Sequence, residues 1–374
     1  MKSTSKVSRF SLGWAVGGCV LALLWATYRV GIQTSVALEE DAARALAWPN
    51  PGLSGLNSYT RTSPVGPIIF KLSGSDSPLV YLVIHLVAGL VAIGILSLWA
   101  YRSVSQLENR YRAVRLVFLA PVTGMVFLSL GNYDPFTVLG FGVALFAWWR
   151  SSRLGMMLAG LYLGIAHFEQ ALVGVVGWSL AAVALAPMLG ARSPRRNPAW
   201  TGLGVIGGKV LLSLYFLSQS IDPAEGRGAY FLDVTWPRMA ITASINHFPV
   251  LLISVFAGLW AAALYVFFRL TERKSQLLLV ASLVLPTLAS VTTLAQSRVF
   301  VMTTLPIAML VIAAVLSDEQ LVSNRPMLFT IEGIAWVIVP FHLYVSTTTG
   351  KGLITTTNTL DFSIMFVQRL LNLV

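Results

Sequence analysis

Apolar runs dominate this chain and recur with almost no polar sequence between them. A helix needs about 20 apolar residues to cross a bilayer, with a range near 17 to 25. On that measure the pattern predicts spans at 11–32, 78–101, 114–130, 135–149, 154–168, 171–190, 201–219, 248–268, 276–295, 299–316 and 327–347. The fourth and fifth are short enough to be tilted, or to form a half-buried hairpin. No intervening stretch is long and polar enough for a separate aqueous domain. The expectation is a single all-α transmembrane domain over 1–374, a polytopic bundle of about 11 helices. Two long loops interrupt the pattern, at 33–77 and 219–247.

Composition sharpens this picture. Apolar residues make up 56% of the chain and charged residues only 11%, against about 25% charged in soluble domains. Mean hydropathy is +0.74. An ordinary soluble protein is excluded. The net charge of +11 would suggest nucleic acid in a soluble chain. In a membrane protein, excess Lys and Arg first marks topology and lipid-headgroup contact, so membrane lipids and not nucleic acid are the expected partners. The single cysteine, Cys19, lies inside the first apolar run, which leaves no internal disulfide and no zinc cluster. Lys2, Lys6 and Arg9 precede that run. It reads as a retained first span rather than a signal peptide, because no small-residue cleavage site follows it.

Charge assigns the two sides. With the N-terminus in the cytoplasm and sides alternating, the inner segments hold 16 of the 26 basic residues. Among them are Arg102, Arg110, Arg150, Arg153, Arg192, Arg269 and Arg325. The outer segments hold ten of the 15 acids. This obeys the positive-inside rule and places both long loops outside, so chemistry is expected on the outer face.

Four outer features could carry it. Residues 37–48 form a good helix, with Glu39, Glu40 and Asp41 early and Arg44 later, as the helix dipole prefers. Leu38, Ala42, Ala45 and Leu46 recur at helical spacing, so this helix is expected along the interface with Trp48 as its anchor. A polar stretch containing Tyr59 and Arg61 follows, then a short re-entrant or interfacial helix begun by Pro67. The second feature is the tight turn Gly131-Asn132-Tyr133-Asp134-Pro135, where Asp134 could simply cap the next helix. The third is Ala166-His167-Phe168-Glu169-Gln170, which is a polar rim more readily than a metal site, since two ligands do not make one. The fourth is Gln296-Ser297-Arg298, at a helix end. An Arg there often only snorkels, yet it is also the side chain best shaped for a phosphate. His85, His247 and His342 lie at or near outer helix ends, where packing or a rim position is the plainer role. Lys209 and Glu332 fall inside spans, as a buried pair or as snorkelling groups.

Taken together these features resemble the GT-C superfamily of polytopic glycosyltransferases, which use polyprenyl-phosphate-linked sugars. The residues that carry the resemblance are the acid-bearing loop directly after the first span, the Ser63-to-Phe70 stretch leading into span two, the Gly-Asn-Tyr-Asp turn and the late Gln-Ser-Arg-Val-Phe. The resemblance implies a GT-C-like bundle and an inverting transfer to an acceptor hydroxyl without a covalent intermediate. A carboxylate of the first outer loop, Asp41 or Glu40, would be general base. Asp134 would orient acceptor or sugar, and Arg298, helped by Arg61 or His167, would hold the phosphate. Glu169, Tyr59 and His247 complete the candidate substrate-binding set. No metal is demanded, although paired outer acids would admit a divalent cation in some members. The chain lacks the soluble C-terminal domain of larger members and the sequon-reading motif of oligosaccharyltransferases, so glycan, glycolipid and protein acceptors all stay open. A bacterial plasma membrane and its cell envelope are the implied setting.

Two other classes compete. A secondary transporter or lipid flippase would suit the Pro-interrupted spans (Pro121, Pro286, Pro306, Pro340) and intramembrane Lys209 and Glu332, but no inverted repeat is evident. A polysaccharide polymerase or ligase would use the same lipid-linked sugars but generally a basic outer loop. Here the first outer loop has four acids, Glu39, Glu40, Asp41 and Asp76, against Arg44, Arg61 and Lys71. A purely structural scaffold would leave these acids unexplained.

Overall fold

A computed structural model describes residues 9–32, 34, 38–50, 62–128, 130–189, 197–221, 235–293, 295–338, 342–345 and 352–355, with 368 and 371. The chain begins with α1 (Arg9–Val30) and a short amphipathic α2 (Leu38–Leu46). Next come α3 (Val65–Leu72), α4 (Pro78–Ser103) and the bent pair α5 (Leu107–Leu119) and α6 (Pro121–Leu128). Then follow α7 (Asp134–Trp149), α8 (Arg153–Leu189) and α9 (Ala199–Ser218). The second half holds α10 (Thr235–Asn246), α11 (Phe248–Phe256), α12 (Trp260–Arg269), α13 (Arg273–Val291) and α14 (Gln296–Ser317). It closes with α15 (Glu319–Ser323), α16 (Arg325–Val337) and an antiparallel pair, β1 (His342–Val345) and β2 (Gly352–Thr355).

Among the described residues five helices are long and apolar enough to cross a membrane, six when α5 and α6, bent by 41° at the Ala120–Pro121 junction, count as one span. This is an α-helical membrane protein carrying one short hairpin. Eleven full-length spans are not found among the described residues. The predicted span 248–268 is broken at Ala257, whose positive φ of 44° ends α11. The predicted span 327–347 stops as helix at Val337 and turns extended at His342.

The predicted spans 154–168 and 171–190 are the two arms of α8, which turns back at His167 (φ −166°, ψ 85°). Both arms reach the same level of α9. A Cβ added at Gly160 would come 2.1 Å from the Thr201 carbonyl oxygen, while one added at Gly202 would come 3.4 Å from Val175. In a straight helix residues 160 and 175 would stand about 22 Å apart. His167 Nδ1 accepts the Gln170 N–H at 3.4 Å and so starts the second arm.

The core of the bundle is α14. Its residues from Val299 to Leu316 are buried on every side, as expected of a helix apolar all round. Its hydroxyls are satisfied within the helix, Thr303 donating to Val299 and Thr304 to Phe300. Around it, α1, α4, α9 and α13 turn large apolar side chains outward, Trp14, Leu24, Leu90, Leu203 and Leu277 among them. Lipid is the medium that makes such a surface stable.

The first arm of α8 and α9 meet through glycines. Gly160 and Gly164 face Gly204 and Gly208, and a Cβ at any of the four would fall 2.1–2.2 Å from a backbone oxygen across the pair. Small residues four apart let two helices approach to backbone contact, where dispersion replaces the missing hydrophobic drive. At the other side of the bundle Glu332 of α16 pairs with Arg115 at 2.5 Å and Arg112 at 3.3 Å. A mutual Lys209–Glu332 pair, one of the two expectations for these residues, is not formed: Lys209 reaches Glu169 instead.

Candidate functional site

The turn before α7 needs Gly131, whose φ of 106° is open to glycine at little cost. It delivers Tyr133 as N-cap and Asp134 as the first residue of α7, with Pro135 behind it. The N-cap position expected of Asp134 is taken by Tyr133, and Asp134 is already inside the helix. Its carboxylate, 1% exposed, lies 3.3 Å from Arg298 Nε in the first turn of α14. Arg298 also donates from Nη2 to the Tyr133 hydroxyl at 3.2 Å, with its guanidinium 5.5 Å from that ring.

The chain of contacts continues into the α8 turn. The Tyr133 ring meets the His167 ring edge-on at 4.4 Å. His167 lies 3.7 Å from Glu169, and Glu169 lies 4.0 Å from Lys209 of α9. Lys209 in turn stands over the Phe168 ring at 5.4 Å. Three turns widely separated in sequence thus form one group, Asp134–Arg298–Tyr133–His167–Glu169–Lys209. It passes from a buried end at Asp134 to a half-exposed one at Glu169.

Helix ends add to its field. The second arm of α8 and α14 run the same way: Gly174 lies against Thr303 and Gly177 against Ile307. Along α7, Phe141 lies against Gly174 and Trp148 against Trp178, so α7 runs with them. All three begin at this group. Each contributes the partial positive charge of a helix N-terminus, which makes the place suited to an anion.

The loop that follows α1 is fastened beside the same turn. Thr34 forms a β-bridge with Leu130, and the Tyr81 hydroxyl donates to the Gly131 carbonyl at 3.0 Å. α2 itself packs against α3 and α4. As predicted, Leu38, Ala42 and Ala45 are the buried face of α2. Asp41 is half-buried and pairs with Arg44 at 3.4 Å, while Glu40 is 61% exposed and reaches the same Arg44. Trp48 is not an interfacial anchor. It is buried, stacks on Tyr215 at 5.4 Å and packs with Leu212 and Phe216 of α9. α3 begins at Val65, two residues before the expected Pro67.

Of the sequence-derived candidates, Asp134, Arg298, His167 and Glu169 come together, and Asp41 and Glu40 lie on the neighbouring α2. His247 stands apart at the α10–α11 junction, half-buried, with no hydrogen bond or ion pair to the group. Tyr59 and Arg61 lie outside the described residues. Tyr133 and Lys209 belong to the group although neither was singled out for it. Tyr133 lay inside the Gly-Asn-Tyr-Asp motif, and Lys209 was an isolated charge in an apolar run. Among the described residues no three His, Cys, Asp or Glu side chains gather as a metal set.

At the opposite end of α14 lies a second polar cluster. Asp318 accepts from Arg269 at 2.9 Å, from Tyr265 at 3.0 Å and from the Gln320 N–H at 2.9 Å. Burial alone would raise the Asp318 carboxyl, but these donors outweigh it and hold it below the usual carboxylate range. A cavity of about 330 Å³ adjoins it, lined by Pro187, Arg269, Glu272, Ser275 and Ser317. The two ends differ in kind: one gathers three helix N-termini and the other a single clasped carboxylate. Against known proteins, no family model, no curated sequence and no solved structure matches this chain.

Proposed function

We propose that the chain is an inverting membrane glycosyltransferase of GT-C-like arrangement, taking a sugar from a polyprenyl-phosphate-linked donor. The sugar passes to an acceptor hydroxyl on the outer face of a bacterial plasma membrane, with the N-terminus cytoplasmic. One observation carries the reading: Arg298, positioned by buried Asp134, stands where three helix N-termini meet, beside a loop that supplies carboxylates. Such a place favours a phosphate. Arg298 has N–H donors enough to serve Asp134 and a phosphate oxygen together.

In the reaction, a carboxylate of α2 removes the acceptor proton and the acceptor oxygen attacks the anomeric carbon. The bond from that carbon to the phosphate oxygen breaks, and polyprenyl phosphate leaves with the electron pair. Asp41 suits the base better than Glu40, because it is half-buried whereas Glu40 is exposed, and a general base works best where water is scarce. Asp134 then positions Arg298 rather than the sugar. The apolar faces between helices would hold the isoprenoid tail.

A transporter would need ionisable groups converging at mid-depth. Here Lys209 goes to Glu169 at one end and Glu332 to Arg112 and Arg115 in another layer, which favours the transferase. The test is purified protein in liposomes with polyprenyl-phosphate-linked hexoses and a mixed glycan acceptor. Sugar transfer that is lost in Arg298→Ala supports the reading; transport of donor without transfer overturns it.

A further inference from the structure

Gln170 is 4% exposed, and among the described residues neither its Oε1 nor its Nε2 has a hydrogen-bond partner. Burying an amide unpaired costs about 1–3 kcal/mol, so a native fold keeps one there for a reason. Its place supplies the reason. Gln170 lies one helical turn ahead of Gly174, and residues four apart share a helix face. That face meets α7 and α14: a Cβ at Gly174 would stand 2.5 Å from the Phe141 ring and 3.2 Å from the Thr303 oxygen. With the second arm of α8 and α14 parallel, Gln170 falls level with residues 299–300, next to Arg298 and the first turn of α7. A second buried amide, Gln296, also has an Oε1 without a partner at this end, while its Nε2 donates to Ala240.

We propose that Gln170 reads a hydroxyl of the sugar carried by the donor, an inference that rests on the transferase reading above. An amide offers one acceptor and two donors, and a hydroxyl both donates and accepts, so the two satisfy each other. A phosphate oxygen would use only the donor half and hydrocarbon neither. A site built around a buried polar group rejects an analogue that lacks the matching hydroxyl, because the protein group is then left unpaired.

The experiment uses full-length protein in detergent micelles. Polyprenyl-phosphate-linked glucose, mannose and galactose are the probes, with their 2-, 3-, 4- and 6-deoxy counterparts, and binding is followed by thermal shift. Wild type should bind at least one hexose donor and lose about tenfold or more in affinity for one deoxy counterpart. Gln170→Leu should bind that hexose and its deoxy counterpart equally, and without ligand its Tm should equal or exceed wild type. Retained discrimination in Gln170→Leu overturns the role of Gln170 alone. So does a ligand-free Tm several degrees lower in both Gln170→Leu and Gln170→Met, which would show the amide satisfied within the fold. A wild type that binds none of the hexose donors overturns the transferase reading and this inference together.

Discussion

Arg298 lies 3.3 Å from Asp134, joining the first turns of α14 and α7 through an ion pair whose carboxylate is almost wholly buried. A pair in this setting is costly to break from one side, because the survivor is left as an uncompensated buried charge.

Arg298→Ala should therefore destabilise the protein by about 3–5 kcal/mol, read as a lower thermal unfolding midpoint in detergent. Replacing both partners with apolar residues, Asp134→Leu with Arg298→Met, should recover much of that loss. An additive double variant would show that the two side chains do not act on each other. In transfer assays Arg298→Lys should raise KM for the donor more than for the acceptor, since Lys keeps the charge and loses the fork.

Asp41→Asn should reduce transfer by about 10²- to 10⁴-fold, the usual contribution of a general base. Glu40→Gln should stay near wild type, its carboxylate being exposed. Equal effects in the two variants, measured at saturating donor in liposomes, would refute the choice of Asp41.

Gly160→Leu and Gly204→Leu should separate α8 from α9, because the new side chain meets backbone at 2.1–2.2 Å and backbone has no rotamer to yield. Loss of more than about 3 kcal/mol is expected, beyond ordinary overpacking. Faster proteolysis of the folded state is the readout. Gly207→Leu, with open space beside it, should fold normally.

Acidification should loosen the end of α14 that holds Asp318. Its folded carboxyl lies below the unfolded value near 3.8, so its stabilisation is complete above that value. It disappears as pH falls through the lower folded one. Asp318→Asn should remove this part of the acid dependence while leaving the neutral-to-alkaline range flat. An unaltered acid limb in thermal melts would show that the clasp contributes nothing.

Sidedness is open to cysteine labelling in a Cys19→Ala background. Asp76→Cys, between α3 and α4, should react from outside intact cells, and Ser323→Cys, at the end of α15, only after permeabilisation. The opposite pattern would turn the whole molecule over.

The convergence of Asp134, His167, Glu169 and Arg298 could be read from sequence because each falls in a short turn between apolar runs, and alternation sends those turns to one side. Lateral neighbours could not be read. Period and length say how deep Glu332 lies but not that α16 leans on Arg112 and Arg115 of α5. Nor does an apolar run disclose where it breaks: Ala257 has no Gly or Pro chemistry to announce its positive φ, and only packing imposes it. Gln170 falls within the His167–Glu169 turn motif, yet sequence gives it no role of its own, for a similar reason. A glutamine beside a turn looks like rim until its burial is known.

The glycine seam between α8 and α9 has a mechanical outcome. With backbone against backbone there is no cushion of side chains to slide on, so the two helices travel as one plank, carrying Glu169 and Lys209 with them. If the proposed lipid-linked donor enters between helices, it does so along some other seam of the bundle.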